Sequence, residues 1–572
     1  MSAATDYDSR PWLSSYPPDV PADFAFPLVP LTRLLDDAAA GFPAAVAISA
    51  AGETLSYREL RDHVDRLAGG LSALGVTAGD RVALILPNCP QHVIAFFAVL
   101  RLGATVVQCN PLATADELRG QLGDCTPAAV VCLDKSLETV QAVRQAAGIR
   151  AVVVTTLVDY RSGWERRRLS LPLPGARADR RRLLGTVPKD ADVVWFRPLL
   201  RRSNPARQVA VDAARDVAVL QYTGGTTGTS KAAMLSHANL VANAYQMRLW
   251  LPEATSGREV TLTVLPLFHV YGLTLCLLTT VLLAGRLALL PNFDVDLLFD
   301  AIESEAPTLL PGVPPIYQAM VDALRVQRTD LSSIRACVSG AMRLPVDVQE
   351  RFERLSGGRL VEGYGTTEAS PATHCNPIQG IRKAGSVGVP LTGTLARIVD
   401  PDDPARVLPA GETGELVVKG PQVFLGYWGR DAAEQVLLAD GWLLTGDLAM
   451  MDEDGFFSIV DRKKDLVIAG GFNVYPTEVE AVVVSHPGVA ECCVVGLPDR
   501  YRGETVKAYV VVTPGVTLTE AEVREHCAAH LSAYKVPKIV EFRDDLPRTA
   551  IGKALRRLLV AEELAKLEGG TP

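Results

Sequence analysis

The chain has 572 residues, 48% hydrophobic and 21% charged, with a formal net charge of -8. That length exceeds one ordinary domain, and that composition supports a large packed core and argues against intrinsic disorder. Mild acidity argues against nucleic acid as the main partner, and ten scattered cysteines without a CxxC pair or an apolar leader point to a reducing, cytoplasmic setting.

The first thirty residues are Pro-rich and irregular. Ser56-Tyr-Arg-Glu59 fits a capping box, and Leu60, Val64, Leu67, Leu71 and Leu74 follow at helical spacing up to Gly75. Arg81–Leu86, Ala128–Cys132 and Ala151–Leu157 read as buried strands, and Thr114-Ala-Asp-Glu117 caps another helix. Strands alternating with helices imply α/β layers around a largely parallel sheet. Between Leu157 and Ala218 the pattern breaks into a solvated insertion carrying Arg166-Arg-Arg168 and Arg180-Arg-Arg182, with Trp164, Trp195 and Phe196 nearby. A sharper reading makes it a basic, aromatic surface for membranes or acyl chains. Val260–Gly285 lacks charge and is long enough to span a bilayer. Pro266 and His269 interrupt it, so it reads as a buried strand and then a buried helix ending at Gly285 and Arg286. From Ala396 the segments become strand-rich. Asp461-Arg-Lys-Lys-Asp465 looks like an exposed linker ahead of a small α/β piece. His526 and His530 share a helix face, where a solvated pair outweighs a metal site lacking a third ligand.

The strongest local signal is Tyr222-Thr-Gly-Gly-Thr-Thr-Gly-Thr-Ser-Lys231, directly after a strand at Val217–Leu220. Small and hydroxyl residues let the backbone approach phosphates and supply N–H and O–H donors. The spacing is not that of a Walker A loop.

With Gly363-Tyr-Gly-Thr-Thr-Glu368, Lys419–Trp428, Gly441-Trp-Leu-Leu-Thr-Gly-Asp447, Val460–Asp465, Gly471-Phe-Asn-Val-Tyr-Pro476 and Pro547-Arg-Thr-Ala-Ile-Gly-Lys553 in order, the chain resembles the adenylate-forming superfamily of acyl-CoA synthetases, luciferases and peptide-synthetase adenylation domains. Within it, bacterial long-chain fatty acyl-CoA ligases look nearest. The resemblance implies an α/β fold: a large N-terminal adenylation domain over 1–461 and a small mobile α+β domain over 462–572. It implies ATP, coenzyme A and Mg²⁺, a fatty acid as the acid, and two steps through an acyl-adenylate.

The implied roles are as follows. Thr223, Gly224, Gly225, Thr226, Thr227, Gly228 and Lys231 hold the outer phosphates. Gly340, Ala341, Gly363, Tyr364, Gly365 and Thr366 line the adenylate, with Tyr364 stacked on adenine. Thr367 bonds the α-phosphate, and Glu368 holds the metal with Thr223. Asp447 and Arg462 take the ribose. Lys553 bridges carboxylate and phosphate. Phe268, His269, Tyr271, Gly340 and Ala341 border the acyl pocket, although a core histidine bonded to backbone is the plain reading of His269. Lys464 is the hinge and Gly471 opens the coenzyme A tunnel. Relatives often carry a second Gly and a Pro where this chain has Ala341 and Arg343, which leaves the preferred acid open. An aryl-CoA ligase, a carrier-protein loader and a catalytically silent acyl-binding or uptake protein are the rival readings. Peripheral contact with the inner membrane face and a homodimer are allowed by the sequence.

Overall fold

The computed structural model describes residues 7–171, 174–223, 230–431, 436–469, 472–499, 501, 503–549 and 552–569. They form two compact units. One holds Ser15–Leu395 with Lys419–Leu443; the other holds the N-terminal residues to Ser14, Ala396–Val418 and the chain from Leu444. The expected division at 461/462 falls inside the second of these.

In the larger unit a seven-stranded sheet runs Val194–Trp195, Ala151–Thr155, Ala129–Leu133, Arg81–Ile85, Thr105–Gln108, Val217–Thr223, Lys231–Ser236, parallel except for the last pair. Its central strands are buried along their length, as a parallel sheet covered on both faces requires. The helix Pro90–Arg101 is buried all round. It keeps its terminal charge by pairing Arg101 with Asp36 at 2.8 Å and Asp65 at 3.0 Å. The expected helix starts are realised: Ser56 and Thr114 both close reciprocal capping boxes, over Tyr57–Ala73 and Ala115–Cys125.

The uncharged stretch folds as expected into the buried strand Val260–Thr263 and buried helical turns, here a π-helix Gly272–Leu278 followed by Thr279–Leu282. Among the described residues no helix is long and apolar enough to cross a membrane. The insertion differs from a simple solvated loop. It forms helices Gly163–Ser170, Pro174–Leu183 and Phe196–Arg202, and Val194–Trp195 adds an edge strand to the large sheet. Phe196 is fully buried, while Trp164 is 70% and Trp195 40% exposed.

In the smaller unit, Leu395–Val399, Gly414–Lys419, Leu443–Met451 and Phe457–Arg462 form one sheet. A second is built on the long hairpin Val489–Asp499 with Gly503–Val512, which Ile539–Arg543 joins in parallel. All ten cysteines are free and buried.

Candidate active site

In the larger unit, Thr223 and Lys231 face each other where the hairpin opens, and the Thr223 hydroxyl donates to the Lys231 carbonyl at 3.3 Å. Gly224, Gly225, Thr226, Thr227 and Gly228 lie outside the described residues. Beside the hairpin runs residues 425–428, with the Leu425 and Trp428 amides donating to Met234 and Ala232 at 2.9 Å. This places Tyr427 between two expected site residues. The Lys231 ammonium sits 5.4 Å from its ring centre, and its hydroxyl donates to Glu368 Oε1 at 2.6 Å. Burial and the Glu368 charge push the Tyr427 phenol well up, so it stays a donor. Sequence reading gave Tyr427 no role, because its neighbours are nearly sixty and two hundred residues away.

Tyr364 lies opposite His374 across an antiparallel pair, the rings 5.9 Å apart. Gly365 is required by close approach, since a Cβ there would stand 1.9 Å from the Pro371 carbonyl oxygen. Gly363 is tight as well, with Val338 at 3.1 Å from such an atom. Thr366 and Thr367 begin the short 3₁₀ turn Thr367–Ala369 that carries Glu368. The Thr366 hydroxyl is buried without a protein partner, a donor left for something else to satisfy. One residue before this motif, Glu362 is buried and its carboxyl is pushed up to about 7 by desolvation. Nothing in the local sequence signals that shift.

The residues expected at the acyl pocket also meet. The Tyr271 amide donates to His269 Nδ1 at 3.2 Å, and burial pushes the imidazole down to about 4, keeping it neutral. The Phe268 carbonyl accepts from Gln221 at 3.1 Å, and the Tyr271 hydroxyl donates to the Val338 carbonyl at 2.8 Å. Gly340 makes room for that ring, since a Cβ would lie 3.0 Å from it. Ala341 adopts φ +67°. This left-handed conformation costs an L-residue roughly 1–2 kcal/mol and explains why glycine suits the position. Ala341→Gly should therefore stabilise the protein by up to about 1 kcal/mol, once the greater freedom of unfolded glycine is deducted. A urea midpoint that falls on substitution would contradict the strained conformation.

In the smaller unit, Asp447 and Arg462 are direct cross-strand partners, with Arg462 Nε 3.3 Å from Asp447 Oδ1. Asp447 is buried. The Thr549 amide donates to the Lys553 carbonyl at 2.8 Å and the Lys553 amide to Thr549 Oγ1 at 3.1 Å. The Lys553 ammonium is pushed down to about 8, first by desolvation and next by the Arg462 charge, with Asp447 acting the other way. Asp447, Arg462 and Lys553 thus share one electrostatic neighbourhood although Lys553 is distant in sequence.

The charge run is the expected exposed linker only at Lys463 and Lys464; the residues around them are held by specific partners. Asp461 is buried, accepting from the Thr477 amide at 2.8 Å, and Lys463 reaches Glu415 at 3.0 Å. Asp465 meets Arg556 at 3.3 Å, and Arg556 is held by both oxygens of Glu480 at 2.7 Å. Lys464 sits between these anchors in the turn Lys463–Asp465; Gly471 lies outside the described residues. His526 and His530 remain a helix face: His526 Nε2 bonds Ser485 and Val482. No group of three or more His, Cys, Asp or Glu able to hold a metal occurs among the described residues.

Comparison with known proteins fits this picture. Residues 35–428 match the profile of the AMP-binding enzyme family, and residues 478–553 match the AMP-binding enzyme C-terminal domain. The chain is 41% identical to a long-chain-fatty-acid–CoA ligase of Bacillus subtilis, covering 97% of this chain and 98% of that one. It is 38% identical to a feruloyl-CoA synthase of Amycolatopsis, covering 90% and 95%. Among solved structures, ATP-bound MatB from Rhodopseudomonas palustris is similar at a TM-score of 0.80 and 32% identity, covering 94% and 99%.

Proposed function

The chain belongs to the AMP-binding enzyme family, and on that footing we propose that it is an ATP-dependent fatty acyl-CoA ligase acting on medium- to long-chain acids. The observation that carries this reading is its end-to-end similarity to the Bacillus ligase. The clustering of Asp447, Arg462 and Lys553 supports it.

In the first step the fatty carboxylate attacks the α-phosphorus of ATP. The new C–O–P linkage forms as the α–β anhydride breaks and pyrophosphate leaves. In the second, the coenzyme A thiolate attacks the acyl carbonyl and AMP departs, a far better leaving group than oxide. No protein nucleophile is needed. Thr223 to Lys231 hold the outer phosphates and Thr367 the α-phosphate. Tyr364 stacks on adenine, and Asp447 with Arg462 takes the ribose hydroxyls. Lys553 neutralises the carboxylate and phosphate as they approach. Tyr427 fixes one oxygen of Glu368, Oε1, at 2.6 Å, and Oε2 would face the metal. That oxygen and the Thr223 hydroxyl are the hard donors Mg²⁺ accepts, and the ion would offset phosphate charge there.

The feruloyl-CoA synthase relative keeps an aryl acid as the second reading. The test is pyrophosphate release from a panel of acids, with and without coenzyme A. Turnover should be fastest with long-chain acids and require coenzyme A. Preference for aromatic acids would move the assignment to the second reading, release that coenzyme A leaves unchanged would favour loading of a carrier protein, and no release with any acid would leave only acyl binding.

Peripheral membrane contact through the insertion is part of this proposal. Exposed Trp164 stands on the helix that carries Arg166–Arg168, and Arg180–Arg182 lie in the last turn of the helix Pro174–Leu183. Each basic residue near an anionic surface contributes about 1 kcal/mol at low salt. Changing the six arginines of the two triplets to glutamine should sharply reduce co-sedimentation with anionic vesicles. Unchanged binding would leave the helices as ordinary surface.

A further inference from the structure

The insertion encloses something that the adenylating residues do not use. Between it and the antiparallel hairpin of Val46–Ala50 with Glu53–Ser56 lies a cavity of about 150 Å³, lined by the apolar Ile48, Leu55 and Pro90 and by Arg161, Arg166 and Arg197. Each arginine retains donor capacity. Arg197 is placed by stacking, its guanidinium 5.5 Å from the Tyr160 ring centre, and Tyr160 is itself fixed by a 3.2 Å contact between its hydroxyl and His63 Nδ1. Arg161 spends Nη1 on Glu165 at 2.9 Å, yet its Nε is buried with no partner. Arg166 makes one long bond, 3.4 Å, to the Asp159 carbonyl.

Two acidic residues also line the cavity. Asp159 directs Oδ2 to the Thr155 hydroxyl at 2.8 Å and the Thr156 amide at 3.2 Å, so that oxygen is already committed to local donors. Glu53 lies on the exposed strand of the hairpin. Three guanidinium groups thus face Asp159 and Glu53, with Glu165 behind Arg161 balancing the third charge, and several guanidinium donors stay unspent. Guanidinium groups suit oxyanions with several acceptor atoms, because each offers N–H groups in a planar fork. The volume is enough for a phosphate group. Arg166 also borders a shallower recess with Gly163, Trp164 and Arg167, where the Trp164 ring stands largely in solvent.

We propose that this cavity is a binding site for a phosphate oxyanion, held by Arg161, Arg166 and Arg197. Its two available sources are free phosphate and the phosphate of a lipid head group whose acyl side runs past Trp164.

The test is isothermal titration of the full-length protein at constant ionic strength, with the nucleotide site saturated by a non-hydrolysable ATP analogue. The probes are inorganic phosphate and monomeric dihexanoyl phosphatidic acid. Both should bind saturably. Arg161→Gln and Arg197→Met should each weaken binding by at least about tenfold, with the melting temperature and acyl-CoA formation retained. Arg197→Met keeps an apolar stem over Tyr160, and if one variant melts early the other carries the comparison. Lipid binding at least tenfold tighter than phosphate, with the gain lost in Trp164→Ala, assigns the head group; equal affinities assign the free anion. No saturable binding to the wild type, or equal binding by wild type and both variants, would overturn the proposal.

Discussion

Lys553→Ala should slow acyl-adenylate formation by about 10²–10³-fold, the usual cost of removing one preorganised charge-stabilising group. It should leave coenzyme A transfer from preformed acyl-adenylate much less affected. The two substrates of the first step are anions that must approach each other, and Lys553 lies in the field of Asp447 and Arg462, the expected ribose contacts. The same geometry gives a pH dependence. Desolvation and the Arg462 charge hold the ammonium at about 8 in the free enzyme, and only its protonated form can neutralise charge. The rate constant kcat/KM for pyrophosphate release should therefore be level below about pH 8 and fall as pH rises through it. In Lys553→Arg, whose cation does not titrate in this range, the alkaline limb should disappear even if the rate is lower. Adenylation that survives Lys553→Ala within about threefold, or an alkaline limb that persists in Lys553→Arg, would remove Lys553 from the site.

The helix over Tyr57–Ala73 and the strand over Arg81–Ile85 could be read in advance because their determinants are local. A capping box, a helical apolar stripe and a short β-branched run each declare themselves within a dozen residues. The motif order likewise singled out Asp447, Arg462 and Lys553, which the fold brings into one electrostatic neighbourhood. What was not legible depends on partners far apart in the chain. Phe196 looks like one of several aromatics in an arginine-rich insertion, yet the edge strand beside it turns it into the core. Tyr427 acquires meaning only when residues 425–428 run along the hairpin and bring Lys231 and Glu368 to it. The run Asp461–Asp465 has the composition of a solvated linker. Lys463 and Lys464 are exposed as that composition suggests, yet Asp461, Lys463 and Asp465 are tied to Thr477, Glu415 and Arg556, which no periodicity could reveal.

Those commitments frame the expectation for the second half-reaction. Lys464→Pro and Gly471→Trp should each still release pyrophosphate in a single turnover but form acyl-CoA poorly, with the second step reduced by at least about tenfold through a gated motion. One site must first present Lys553 to ATP and then clear it for the pantetheine arm, and the resemblance places the pivot at Lys464. The contacts of its neighbours agree with a change of allegiance there. Lys463 is tied to Glu415 on the strand Gly414–Lys419. Asp465 is tied to Arg556, which Glu480 holds and which lies three residues beyond Lys553. Rotation about the intervening residue would separate these groups while leaving Arg462 with Asp447. Proline fixes φ near −65°, a value that a one-turn 3₁₀ helix accommodates, at some cost to Lys463, whose helical conformation a following proline disfavours. The starting arrangement should therefore survive while the alternative backbone conformation becomes harder to reach. Gly471→Trp probes the same step by obstruction, since the expected tunnel depends on a missing side chain. If Gly471 serves only a tight turn, the tryptophan will lower stability and both half-reactions together. If Lys464 is only a surface residue, the proline will change neither step. A well-folded Gly471→Trp protein that loses both steps equally would withdraw the tunnel and leave the adenylation chemistry in place.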